Sequence, residues 1–84
     1  MPYQVTFERQ AQKYLTGLRD ARLLRRLREA LAELAADPRP PGSVKLQGEG
    51  ELYRVRVGDY RIVYQIQDAV LVVQIGHRRE IYRQ

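Results

Sequence analysis

Leu52-Tyr53-Arg54-Val55-Arg56-Val57-Gly58-Asp59-Tyr60-Arg61-Ile62-Val63-Tyr64 decides how this chain folds. Two runs that alternate with period two flank a Gly-Asp pair, and glycine at the first central position suits a two-residue type II′ hairpin turn. Such a turn sets Val57 opposite Tyr60, Arg56 opposite Arg61 and Val55 opposite Ile62. Side chains alternate between faces, so Tyr53, Val55, Val57, Tyr60, Ile62 and Tyr64 share one side. That side is a core face. Arg54, Arg56 and Arg61 share the other. Like charges directly opposite each other destabilise a sheet by a few tenths to about 1 kcal/mol. A chain selected for stability alone would more readily carry Glu or Thr there.

Working outward, Gln67-Asp68 reads as a tight turn between strands at 60–67 and 69–75, which predicts Gln74 beside Arg61. Continuing the alternation past Gly76 sets Arg78 and Tyr82 on the arginine face if the tail stays extended, and turns His77 toward the core side. Upstream, residues 43–46 form a short strand candidate and Gly48-Glu49-Gly50 a turn or bulge. Asp37-Pro38-Arg39-Pro40-Pro41-Gly42 stops a helix, because closely spaced prolines cannot continue one. That helix runs from an N-cap at Asp20 to about Ala36, with Leu23, Leu27, Ala30, Leu31 and Leu34 as its apolar stripe. Arg22, Arg25, Arg26 and Arg28 crowd its first half, and Glu29 is spaced for an i,i+4 pair with Arg25. Ala11, Tyr14, Leu15 and Leu18 mark an earlier helix, weakened near its end by Gly17, and residues 3–7 alternate as a half-buried strand. The order β-α-α followed by a three- to four-stranded antiparallel meander predicts an α+β fold, with a helical hairpin packed on one sheet face.

Eighty-four residues make a single domain spanning 1–84, with 44% hydrophobic residues to fill its core. There is no cysteine and one histidine, so disulfides and a Cys-based zinc site are excluded and no metal is expected. No cofactor-binding motif occurs. The apolar runs are too short to span a bilayer, and the first ten residues lack a secretory signal's long apolar stretch, which predicts a cytoplasmic protein. Fifteen basic residues against ten acidic give a net charge of +5, and of the basic residues only Lys13 and Lys45 are lysine. Guanidinium is planar, permanently charged and grips phosphate bidentately. The charge therefore suits nucleic acid or an acidic protein partner, although a merely solubilising surface has the same composition. Arg54, Arg56, Arg61 and Arg78 converging beside a tyrosine suit a phosphodiester. The competing reading is a solvated sheet face. His77 is either a general acid or a hydrogen-bonded structural histidine.

The quoted stretch, together with Ile75-Gly76-His77-Arg78-Arg79-Glu80-Ile81-Tyr82-Arg83 and the Asp37-Pro38-Arg39-Pro40 and Lys45-Leu46 segments, resembles the RelE group of the RelE/ParE toxin superfamily over essentially the whole chain. The resemblance implies the toxin of a type II toxin–antitoxin pair. Its activity would be a metal-independent mRNA endoribonuclease (an mRNA interferase) that enters the A site of the 70S ribosome. There the 2′-OH of one nucleotide attacks the adjacent phosphate, and translation stops. It further implies Arg54, Arg56, Arg61, Arg78 and Tyr82 as catalytic residues. His77 is a further candidate, Arg79 and Arg83 are candidate RNA contacts, and Lys45, just before the sheet, is either a phosphate contact or ordinary surface. Some members carry lysine at the first two positions. Arginine cannot readily act as a base, so Arg54 and Arg56 would stabilise charge. The implied partners are the ribosome, its mRNA and an acidic antitoxin through which the complex binds operator DNA. The alternatives are a ParE-like, non-catalytic poison of DNA gyrase and an inactive co-repressor.

Overall fold

In the computed structural model, which describes residues 2–48 and 50–80, the chain runs through seven elements. They are β1 (Val5–Phe7), α1 (Arg9–Gly17), α2 (Ala21–Ala36), β2 (Val44–Lys45), β3 (Leu52–Val57), β4 (Tyr60–Ile66) and β5 (Val70–His77). The α+β class and the β-α-α-meander order are those expected. The hairpin adopts the predicted register, with Val57 facing Tyr60, Arg56 facing Arg61 and Val55 facing Ile62. Gly58 takes φ +62° and Asp59 a φ that is not positive, as a type II′ turn requires. Only glycine occupies that first position without strain.

The β4–β5 connection departs from expectation in two places. A three-residue link, 67–69, replaces the two-residue turn, so that Ile66 faces Val70. The register then slips once more, since Tyr64 faces Val72 but Val63 faces Gln74, and Val73 bulges. Either shift alone would exchange the two faces; together they cancel in parity. Gln74 therefore keeps its expected face but sits opposite Val63, and Gly76 faces Arg61 instead. The apolar spacing of β5 explains the bulge. Val70, Val72 and Ile75 are all 0% exposed, and the three-residue step from Val72 to Ile75 points both inward only if one residue is looped out.

The meander gains a strand at each edge, giving a five-stranded mixed sheet in the order β1-β5-β4-β3-β2. β1 lies parallel to β5, with Val5 beside Val70 and Phe7 beside Val72. Where β1 ends, the side chain of Gln10 takes over its role. Its Nε2 donates to the Ile75 carbonyl at 3.2 Å and its Oε1 accepts from the Ile75 N–H at 3.1 Å. Gln10 thus supplies the two bonds a neighbouring strand would have made, just beyond the bulge. Gln10→Ala should lower the urea midpoint at an unchanged m-value, a loss of about 1–3 kcal/mol of stability. A wild-type midpoint would show that the clamp carries no stability.

Both helices cover one sheet face. Asp20 caps α2 as expected, its Oδ1 accepting from the Leu23 N–H at 3.1 Å. The stripe Leu23, Leu27, Leu31 and Leu34 is buried against Tyr53, Val55, Val57, Ile62, Tyr64 and Ile66, while Ala11 brings α1 into the same core. Each fully buried leucine or isoleucine contributes roughly 1.5–3 kcal/mol. The Arg25–Glu29 pair that the spacing permits does not form; among the described residues the α2 arginines make no ion pair. No helix among them is long and apolar enough to cross a membrane.

Candidate active site

The far side of the sheet, away from the helices, carries the arginines. Arg56 and Arg61 are direct cross-strand partners, and Arg54 lies between Val63 of β4 and Val44 of β2. Arg56 is exposed, and its Nε donates to the Gly58 carbonyl at 3.0 Å, holding the guanidinium back along the hairpin tip. Arg54 and Arg61 are half-buried along their stems. Arg78 follows the last residue of β5, and its N–H donates to the Asp59 carbonyl at 2.8 Å. The ladder thus runs one residue past the strand and sets Arg78 at the turn that joins Arg56 to Arg61. Beyond it the chain bends, with the Glu80 N–H donating to the His77 carbonyl at 2.7 Å, so the tail does not remain extended through 80. Tyr82 and Arg83 lie outside the described residues.

The remaining candidates fall elsewhere. His77 pairs with Tyr60, so the strand turns it toward the helical side, as its parity predicts. Its ring meets Tyr60 edge-on with centroids 5.2 Å apart, and its Nδ1 accepts from the Arg79 N–H at 3.1 Å. That bond assigns the proton of a neutral ring to Nε2. Arg79 itself is exposed. Lys45 pairs with Tyr53, so it too belongs to the helical side, and its Nζ lies 3.5 Å from Glu51. Glu51 gathers a small polar cluster at that edge. It accepts from the Tyr53 hydroxyl at 3.1 Å and from Arg39 at 3.4 Å, while Arg39 Nε donates to the Tyr53 oxygen at 3.0 Å. The Tyr53 hydroxyl, then Lys45 and Arg39, hold the Glu51 carboxyl below the usual carboxylate range. Arg39 is pushed up, first by its bond to Tyr53. Its guanidinium also stands 5.4 Å over the Tyr53 ring, pinning the proline-rich loop to the sheet.

Sequence reasoning overlooked Val63. It sits among the arginines, between Arg54 and Gln74, yet only 7% of it is exposed. Its place in the alternation Arg61-Val63-Gln65 was the available signal: one apolar residue on a polar face is covered by the long side chains around it. Such a surface can hold a phosphodiester by its charges. Among the described residues no three His, Cys, Asp or Glu side chains gather where they could hold a metal.

Two helices thus cover one face of this five-stranded sheet, and arginines oppose each other on the other. Residues 5–82 match the family described as ParE toxin of type II toxin–antitoxin system. The chain is 30% identical over 86 residues to Toxin RelG of Mycobacterium tuberculosis, covering 99% of each. The archaeal RelE–RelB complex from Pyrococcus horikoshii OT3 is similar in structure, with TM-score 0.78 and 31% identity over 96% of this chain and 100% of that one. The intact E. coli RelBE toxin–antitoxin complex matches with TM-score 0.77 and 28% identity, over 89% and 95%. The chain belongs to the RelE/ParE superfamily and is a toxin of the type II toxin–antitoxin class.

Proposed function

We propose that this toxin is a ribosome-dependent mRNA endoribonuclease. The observation that carries the reading is the cross-strand Arg56–Arg61 pair with Arg54 on the same face, an arrangement unfavourable for the sheet and suited to a phosphorane. In the A site the 2′-oxygen of one nucleotide attacks the adjacent phosphorus. The P–O5′ bond breaks, leaving a 2′,3′-cyclic phosphate and a 5′-hydroxyl. Arg54, Arg56, Arg61 and Arg78 stabilise the charge on the equatorial oxygens. Arginine stays protonated, so moving the 2′-OH proton to a base and supplying one to the 5′-oxygen falls to Tyr82 or to ribosomal RNA, since His77 faces the helical side against Tyr60. Arg79 and Arg83 are the proposed outer RNA contacts; Lys45, on the helical side beside Glu51, stands off the face that would hold the phosphate.

The partners in this reading are the 70S ribosome with its mRNA and a cognate acidic antitoxin that carries operator-DNA binding. Support for the antitoxin comes from the net charge of +5 and from relatives solved as RelE–RelB complexes. An apolar groove of about 300 Å³ between the helices, lined by Phe7, Leu15, Leu24 and Leu31, offers a partner helix a seat. The test is end-group analysis of mRNA cut by the purified toxin on programmed ribosomes, varying any second metal at fixed Mg²⁺. Cyclic phosphate and 5′-hydroxyl ends independent of that metal are expected. A 3′-hydroxyl with a 5′-phosphate would mean hydrolysis and overturn the mechanism. The match to the ParE family model favours a second reading, a non-catalytic gyrase poison. Induction would then give a DNA-damage response with intact transcripts.

A further inference from the structure

We infer that Gln74 reads the base next to the scissile phosphate and gives the toxin its cleavage preference; this rests on the nuclease reading above. Three observations set Gln74 apart. The bulge at Val73 aims it onto the arginine face, where it is the direct partner of Val63 and the diagonal neighbour of Arg61, about 7–8 Å away along the sheet. Immediately beyond it, Gln10 binds both the N–H and the carbonyl of Ile75, so the backbone presenting Gln74 is held from the sheet edge. Yet the Gln74 amide is only half-buried and makes no hydrogen bond among the described residues. Bulge and clamp fix where this side chain begins, and nothing in the fold uses where it ends.

A primary amide offers a donor and an acceptor side by side. With phosphate held by the arginines, the attached base reaches along β5, and its edge meets Gln74. The amide matches the N6/N7 edge of adenine bidentately, and single-stranded RNA exposes that edge when the base is unstacked. The substrate class is therefore an A-site codon with adenine beside the cut.

The experiment maps 5′ ends of mRNAs cut on ribosomes programmed with a randomised A-site codon, for wild type, Gln74→Leu and Gln74→Glu. Thermal midpoints are measured alongside. Wild type should favour adenine at one position flanking the cut by about fivefold or more, Gln74→Leu should flatten that preference, and Gln74→Glu, which only accepts, should move it toward cytosine. A purely structural Gln74 would lower rate or midpoint and leave the base distribution unchanged, which overturns the inference. No cut by wild type overturns the nuclease reading and this inference with it, whereas cutting with an unaltered distribution in both variants overturns this inference alone.

Discussion

Arg61→Ala should lower ribosome-dependent mRNA cleavage by about 10²–10³, the loss associated with one preorganised donor to a developing oxyanion. Arg61 is central by register: β4 places it beside Arg56 on one side and Gly76 on the other, with Arg78 beyond. Both Arg61 and Arg78 lie off the core, so alanine there opens no cavity. Arg78→Ala should cause a comparable loss, with its backbone bond to Asp59 intact. Arg61→Lys separates charge from geometry: a partial return of activity is expected, because an ammonium keeps the charge and loses the planar fork. Cleavage rates on programmed ribosomes and toxicity on induction, read with thermal midpoints, are the measurements. Wild-type toxicity in both alanine variants would remove these arginines from the site.

Alkaline pH should destabilise the fold through Tyr64. Its ring is 0% exposed and stacks on Tyr53 with centroids 5.9 Å apart, and its hydroxyl donates to the Pro38 carbonyl at 2.7 Å. Burial above all pushes its hydroxyl up from 10.0 to about 12. A raised folded-state value means that stability is complete below pH 10, where the unfolded tyrosine is also neutral, and is lost as pH climbs through 12. Two units at 1.36 kcal/mol each make the loss about 2–3 kcal/mol. Urea midpoints measured from pH 8 to 12 should fall accordingly. Tyr64→Phe should start lower by about 1–3 kcal/mol, since the buried Pro38 carbonyl loses its donor, and then fall less steeply. A smaller alkaline loss should persist, because burial raises Tyr14 as well. Parallel curves for the two proteins would exclude Tyr64 as the titrating group.

Both predictions rest on a hairpin that was legible in the chain. Gly58 is the residue that can take φ +62°, and once it occupies the first turn position the pairing of Arg56 with Arg61 follows by counting. The N-cap at Asp20 and the leucine stripe of α2 were equally local, and they formed as written. The far end of the sheet was not legible in the same way. The position of Gln74 depended on a three-residue link and a bulge, and each is settled by whether Val70, Val72 and Ile75 can all reach the core beneath the helices.

The parallel docking of β1, the Gln10 clamp and the Glu51 cluster share that origin. Each joins residues far apart in sequence, such as Gln10 with Ile75 or Arg39 with Tyr53, and no local period encodes such a meeting. The place of Lys45 on the helical side follows from its own register opposite Tyr53. Short-range sterics and alternation thus determined from sequence alone which residues share a face and which arginines confront each other. Tertiary packing alone decided which residue of β4 each β5 side chain sits beside, because register along β5 is chosen by the burial of distant apolar side chains, not by the turn preceding it.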